Sequence, residues 1–203
     1  MNQSDQQVGI DKNKDEYNAT ADDYEKWSES NIIMQRYCYY STVAEIEKQV
    51  GIEGKVFMEV GCGPCPIGQK LAAKGAKKIY GLDISEQMIA SARTKLDGMG
   101  IGDKFELIAQ DIFDENFQAP EKVDCVVFSY VLTAFITNED MLKTIFERSK
   151  RFLKKDGIVL VTDFSYAKIE CDGFWCGMTS EPDGLESPRE FESFIFRIDR
   201  SPD

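Results

Sequence analysis

From residue 55 onwards, five short apolar runs alternate with stretches of helical periodicity. The runs cover residues 56–60, 78–82, 104–109, 123–128 and 158–162. This alternation predicts βαβ units, in which parallel strands are joined by helices. The fourth and fifth runs are almost continuously apolar, which is typical of strands buried on both faces. The chain is therefore expected to be an α/β protein with a doubly wound, mostly parallel sheet.

The length of the chain favours a single domain, because 203 residues of which 42% are hydrophobic can bury one substantial core. Residues 1–14 lack periodicity and are predicted to be a flexible tail. Residues 15–54 are predicted to form an N-terminal lid and helix, and residues 55–164 the core that holds the sheet. Residues 165–203 are expected to form a loop and a strand on the substrate side.

Composition disfavours several classes of function. The formal net charge of −12 disfavours nucleic acid as a partner, since such binding usually leaves a basic surface. The sequence contains no run of about 18 apolar residues, so no membrane span is predicted. The first thirty residues also lack the apolar region of a secretory signal. Six irregularly placed cysteines favour reduced thiols in a cytoplasmic protein. Histidine, the commonest general base and metal ligand, is absent, so no metal is expected.

The first predicted strand runs into a glycine-rich turn that contains Gly61 and Gly63. Two glycines let the backbone bend tightly and let a ligand approach main-chain atoms. A dinucleotide-binding turn needs a third glycine where this chain has Pro66, and a P-loop needs a Gly-Lys-Ser/Thr ending that is absent. Both of these alternatives therefore fit poorly.

A redox site is a third alternative, because Cys62-Gly-Pro-Cys65 has the spacing of a thioredoxin-like motif. The residue before the first cysteine is Gly61, where a thioredoxin has an aromatic residue. A long βαβ series also continues downstream. The surrounding sequence therefore argues against this reading.

The turn resembles motif I of class I S-adenosylmethionine (SAM)-dependent methyltransferases, in which an acid precedes Gly-x-Gly-x-Gly by one residue. Glu59, Gly61 and Gly63 match the motif and enclose Cys62, whereas Cys65 stands at the third glycine. The resemblance implies a Rossmann-like fold with strand order 3-2-1-4-5 and places Glu59 to Gly63 at the cofactor.

The next two strand ends also match the family. An acid twenty residues past the turn is placed to accept hydrogen bonds from a ribose diol, and this acid is Asp83. The resemblance implies that Asp83 takes the ribose hydroxyls, that Ile84 and Met88 enclose the adenine, and that Asp111, beside Ile112, accepts from the adenine amino group.

The segment after the fourth strand resembles the family motif that lines the methionine end of the cofactor. Phe128 and Ser129 are implied as cofactor residues there, and Tyr130 and Thr133 as residues on the substrate side. The resemblance extends over residues 56–163.

The N-terminal segment that contains Tyr17, Tyr24 and Trp27 resembles the tyrosine-rich lid that closes over SAM in small-molecule members of the family. These three residues are implied in cofactor binding. Tyr37, in a helix predicted over about residues 32–50, is a further substrate-side candidate. Another interpretation is that the rings only pack the lid against the sheet.

The C-terminal region is expected to depart from the family. The usual C-terminal helix and β6/β7 hairpin are predicted to be missing or incomplete, and only residues 192–199 alternate like one more strand. A five-stranded core would expose an apolar sheet edge, which predicts a homo-oligomer or a partner chain.

Together these features predict a SAM-dependent methyltransferase that acts on a small-molecule acceptor and releases S-adenosylhomocysteine (SAH). Proximity and alignment are expected to supply most of the rate, so no catalytic residue is singled out. The alternative is a non-catalytic SAM-fold module that acts as a binding or partner subunit.

Overall fold

A computed structural model describes residues 3–163, 170–171, 174–175 and 193–196, with side chains over residues 10–163. The helices are α1 (Gln3–Ser30), a π-helical turn (Met34–Cys38), α2 (Tyr39–Val50), α3 (Pro66–Ala73), α4 (Glu86–Gly98), a 3₁₀ turn (Gly102–Lys104), α5 (Leu132–Phe135) and α6 (Glu139–Phe152). The strands are β1 (Val56–Val60), β2 (Lys78–Asp83), β3 (Phe105–Ala109), β4 (Val123–Ser129), β5 (Leu153–Thr162), β6 (Glu170–Cys171), β7 (Phe174–Trp175) and β8 (Ser193–Phe196).

The main sheet has the order β3-β2-β1-β4-β5-β8. The first five strands are parallel and confirm the predicted 3-2-1-4-5 order. The sixth strand, β8, lies antiparallel on β5, with Val161 opposite Phe194. β5 is therefore paired on both sides, which contradicts the open sheet edge from which a homo-oligomer or partner chain was predicted. The association itself stays a prediction. The expected loss of the C-terminal helix and hairpin falls largely on residues outside the described part of the chain.

The core lies in two layers, one on each face of the sheet. Strand β4 contributes to both, because alternate side chains point to opposite faces: Val127 joins the layer beneath α2, α3 and α4, and Phe128 joins the layer beneath α6. This burial on both faces explains the continuous apolar run seen in the sequence.

Residues 3–14 of the predicted flexible tail belong to helix α1, which begins at Gln3. This part of the helix is held by tertiary contacts: Ile10 is buried, Lys14 forms an ion pair with Glu86, and the Asn13 side chain donates to the Ala134 carbonyl. A helix held mainly by polar contacts leaves no apolar periodicity in its sequence, so none was visible.

The helix expected over about residues 32–50 is a π-helical turn followed by α2. Helix α6 is capped by Asn138, whose side chain accepts from the Met141 amide. Helix α4 is capped by Ser85, whose hydroxyl accepts from the Met88 amide. Among the described residues, no helix is long and apolar enough to cross a membrane.

Candidate active site

The glycine turn after β1 is bent in a way that favours glycine. Gly61 and Gly63 have φ of 62° and 48°, the left-handed region that side chains disfavour. A Cβ on Gly61 would also lie 2.2 Å from Cγ2 of Val131. The Cys62 amide donates to the Leu82 carbonyl, so the turn is fastened to the end of β2.

Asp83 lies at the tip of β2 and holds two loops together. One carboxylate oxygen accepts from the Gly63 amide at 2.8 Å and the other from the Ser85 amide at 2.9 Å. Burial raises the pKa of Asp83, although the hydrogen bonds from the Ser85, Gly63 and Ile84 amides oppose this. The glycine turn and the ribose-binding candidate therefore form one unit.

A mostly apolar pocket lies over the carboxyl ends of the parallel strands, the usual place for ligands in such sheets. Ten of the predicted site residues line it: Tyr17, Tyr24, Gly61, Gly63, Asp83, Ile84, Met88, Asp111, Ile112 and Tyr130. The residues that sequence reasoning missed are Ile10, Asn13, Val60, Leu82, Gln110, Phe113, Val131, Ala134 and Phe135. Some of these residues are adjacent in sequence to predicted site residues, and this adjacency could have identified them. Ile10 and Asn13 come from the segment that was expected to be a tail.

Asp111 lies just past the tip of β3 and begins a tight turn. Its carboxylate accepts from the Phe113 amide at 2.8 Å. Burial is the largest influence on Asp111 and raises its pKa, partly offset by the Phe113 amide and the charge of Arg148. Asp83 and Asp111 are the only charged side chains in the described pocket wall.

Glu59 lies away from the pocket, although it belongs to the same motif. It is 2% exposed, and its carboxylate accepts from the Gly68 amide at 2.8 Å, the Ile67 amide at 3.4 Å and the Cys65 thiol at 3.1 Å. Burial raises the pKa of Glu59 to about 7, against the lowering effect of these hydrogen bonds. The carboxylate thus binds the N-terminus of α3, where orphan amides favour negative charge.

The two cysteines of the turn are buried free thiols. A hydrogen bond with Cys65 lowers the pKa of Cys62, but burial and the charges of Asp83 and Glu59 outweigh it and raise the value to about 11. The hydrogen bond with Cys62, burial and the charge of Glu59 raise the pKa of Cys65 well above its usual range. Reactive cysteines need the opposite, a lowered pKa and exposure, so the environment does not suit a thioredoxin-like site.

An aromatic cluster on α1 forms the roof of the pocket. The rings of Tyr17 and Tyr24 are 6.1 Å apart, edge to face, and those of Tyr24 and Trp27 are 5.6 Å apart. Tyr17 and Tyr24 line the pocket, whereas Trp27 only supports Tyr24 and is 46% exposed. Tyr37 is 65% exposed on the π-helical turn and is not part of the pocket wall.

The end of β4 is strained at Tyr130, which has φ of 57°. This conformation costs roughly 1–2 kcal/mol for a bulky residue. It is held by the Tyr130 amide, which donates to the Thr162 carbonyl at 2.7 Å, and by the ring, which packs edge to face on Tyr39. Of the neighbouring candidates, Phe128 lies in the core. Ser129 is half-buried and Thr133 is exposed, and neither belongs to the pocket wall.

Fold and site together define a class I, Rossmann-like methyltransferase: a parallel sheet in 3-2-1-4-5 order, a glycine turn after β1, and acids after β2 and β3. The family described as "Methyltransferase domain" matches residues 52–187. The chain belongs to this family of SAM-dependent methyltransferases.

Curated relatives include two enzymes named for arginine methylation. The chain is 28% identical over 158 residues to a probable protein arginine N-methyltransferase 6 of Arabidopsis thaliana, covering 78% of this chain and 34% of the relative. It is 33% identical over 132 residues to protein arginine N-methyltransferase 1 of Schizosaccharomyces pombe, covering 60% and 37%. The chain thus spans about a third of the length of these relatives.

Solved structures share the fold. The DhpI–SAM–HEP complex has a TM-score of 0.60 at 23% identity, with 77% of this chain and 66% of that chain covered. A SAM-dependent methyltransferase from Clostridium acetobutylicum has a TM-score of 0.58 at 24% identity, with coverage of 74% and 58%.

Proposed function

We propose that this protein transfers a methyl group from SAM to a small-molecule acceptor. The observation that carries the proposal is the roof made by α1, whose Ile10, Asn13, Tyr17 and Tyr24 face the glycine turn across the pocket. A roofed, mostly apolar pocket with few polar groups suits a cofactor and a small acceptor. A folded polypeptide would need a more open groove.

The residues present fit the cofactor. The carboxylate of Asp83 accepts the Gly63 amide on one oxygen and the Ser85 amide on the other, and the Ile84 amide also donates to it. A carboxylate has about four acceptor sites, so a site remains for a ribose hydroxyl. Ile84, Met88 and Ile112 offer apolar surface for an adenine, and Asp111 lies at the same end. A Cβ on Gly63 would lie 3.6 Å from the Tyr24 ring, so the glycine leaves space between turn and roof.

The bound sulfonium would supply an activated methyl group with a good leaving group. The chain's own residues then have to hold the acceptor in line and exclude water, and alignment of this kind can carry much of the rate. The roof of α1 serves both tasks, since Tyr17 and Tyr24 cover the turn. Histidine is absent from the sequence, and the described pocket wall offers carboxylates and phenols as the groups able to take a proton.

A protein arginine acceptor is the second candidate, favoured by the names of the curated relatives.

A cytoplasmic location is also proposed. It is supported by the four cysteines whose side chains the structure describes, which are buried free thiols.

Calorimetric titration with SAM and with SAH tests the cofactor site. The wild-type protein should bind both, and Asp83→Asn should weaken SAH binding at least tenfold because it removes a charged acceptor. Asp103→Asn is the control, since Asp103 is exposed in the 3₁₀ turn before β3, whereas the pocket lies at the carboxyl ends of the strands. If the folded wild-type protein binds neither SAM nor SAH, the proposal is contradicted.

Labelled SAM then separates the candidates for the acceptor. Label should pass to a metabolite fraction rather than to arginine-rich peptides. Transfer to the peptides alone would replace the small-molecule proposal with the second candidate. Tight SAM binding without transfer to either would favour the non-catalytic module.

A further inference from the structure

The strand order gives the pocket a direction. Asp111 lies past the tip of β3, Asp83 at the tip of β2 and Gly61 after β1, and these three strands are neighbours in the sheet. If the proposed function is correct, the adenosine part of SAM occupies this side. The remaining side of the pocket, over β4 and β5, is then the acceptor end.

A carboxylate is attached by hydrogen bonds to the loop that lines that end. The segment 129–138, which follows β4, contains no charged residue. Asp163, the first residue after β5, is 8% exposed. Its two oxygens accept from the amide of Thr133 at 3.1 Å and from the hydroxyl of Thr133 at 2.9 Å. Thr133 lies between Val131 and Ala134, two residues of the pocket wall, so Asp163 is fixed to the turn that lines the acceptor end.

The charge of Asp163 contributes to the raised pKa of two tyrosines of the pocket wall. Burial is the main reason that the pKa of Tyr17 is raised, and the charges of Glu16, Asp83 and Asp163 add to it. Burial also raises the pKa of Tyr130, with further contributions from Cys38 and from Asp163. Tyr17 comes from the roof and Tyr130 from the β4 end, so the carboxylate is within electrostatic reach of both walls.

The pocket wall itself also suits a cation. The described pocket wall contains no lysine or arginine. Five of its residues are aromatic, and aromatic faces attract cations; they are Tyr17, Tyr24, Phe113, Tyr130 and Phe135. A buried carboxylate beside aromatic rings and without a competing basic side chain disfavours an anionic acceptor and favours a cationic one.

We propose that Asp163 is a specificity-determining residue that selects an acceptor with a positive charge, an amine that binds in its ammonium form and loses one proton to solvent before its nitrogen attacks the methyl carbon. The proposal rests on the proposed function and names the class of its acceptor. Asp163 acts through its charge at the acceptor end, and Thr133 holds it in place.

Two cofactor analogues test the proposal without a known acceptor. SAH carries a neutral thioether, whereas sinefungin carries a primary ammonium where SAM has its transferable methyl group. The wild-type protein should bind sinefungin more tightly than SAH in calorimetric titrations. Asp163→Asn keeps the shape of the side chain and removes its charge, so it should reduce this preference about tenfold and leave the dissociation constant of SAH within about twofold.

Three variants separate charge from architecture. Thr133→Val removes one hydrogen bond to Asp163 but keeps the carboxylate, and it should retain most of the preference, as should Asp163→Glu. Asp124→Asn is the matched control and should leave the preference unchanged. It removes a half-buried carboxylate at the amino end of β4, whereas the pocket lies over the carboxyl ends of the strands.

An unchanged preference in folded Asp163→Asn, or equal loss of both ligands, would overturn the proposal. If Asp163→Asn does not fold, the wild-type protein still decides, since binding of SAH without any preference for sinefungin overturns it too. Failure of the wild-type protein to bind SAH at all contradicts the proposed function itself.

Discussion

Replacing Glu59 by glutamine should change how the stability of the protein depends on pH. Glu59 is fully buried behind the glycine turn, with its carboxylate on the amides of Ile67 and Gly68 and on the Cys65 thiol. Burial, the largest influence, raises its pKa from 4.5 to about 7. The folded state therefore takes up a proton at a higher pH than the unfolded state does.

The size and sign of the effect follow from linkage. Because the folded pKa is the higher one, the folded state binds more protons between pH 4.5 and 7, and the free energy of unfolding falls as pH rises through this window. A difference of about 2.5 pKa units corresponds to about 3 kcal/mol, as each unit is worth 1.36 kcal/mol. The contribution is complete below pH 4.5 and is lost above pH 7. Glutamine cannot titrate, so Glu59→Gln should lack this loss.

Urea denaturation at half-unit steps from pH 5 to pH 8, followed by far-ultraviolet circular dichroism, measures the effect. The free energy of unfolding of Glu59→Gln minus that of the wild type should rise by about 2–3 kcal/mol across the range. Asp124→Asn serves as control: burial raises the pKa of Asp124, but hydrogen bonds from Lys154 and Val56 and the charges of Lys154 and Lys55 outweigh it and lower the value. Its difference should therefore be flat above pH 5. A flat difference for Glu59→Gln as well would refute the reasoning.

Two further predictions concern stability. Gly61→Ala should lower the free energy of unfolding by about 2–4 kcal/mol in urea, because the residue is left-handed and its Cβ would meet Val131. Adding Val131→Ala should recover only part of the loss, and full recovery would mean that backbone strain contributes nothing. Thr162→Val should raise the free energy of unfolding by about 1 kcal/mol, since the Thr162 hydroxyl is fully buried without a hydrogen-bond partner in the described part of the chain. A destabilised Thr162→Val would indicate that the hydroxyl is paired.

Much of the fold was predictable because it is encoded locally. Four of the five predicted strands match the observed ones to within one residue at each end. Strand β5 begins at Leu153 rather than Ile158, since pairing with β4 extends it through a polar stretch that no apolar pattern marks. Within the β4–β5 pair, the register shifts between Val123 and Cys125 of β4, and this irregularity can be seen only when both strands are known.

The candidate site was predictable in its cofactor half and less so elsewhere. Asp83 and Asp111 follow strands whose carboxyl ends meet at one edge, so their positions along the chain were enough to bring them together. Glu59 was expected at the cofactor, yet it faces the N-terminus of α3. An alternating strand sends neighbouring side chains to opposite faces, and only the packing of α3 shows which face carries the carboxylate.

By itself, the sequence determined the parallel sheet, the glycine turn after β1 and the acids after β2 and β3, because periodicity and spacing are properties of short stretches of chain. Only the tertiary structure decided that the lid predicted from residue 15 onwards starts further upstream, with Ile10 and Asn13 in the pocket wall, and that β8 covers β5. It also decided that Asp163 is held by Thr133, 30 residues away, as Asn13 is by Ala134, 121 residues away. These contacts join segments whose sequences carry no mark of each other, since a polar side chain that will be buried beside a distant partner looks the same as one that will face water.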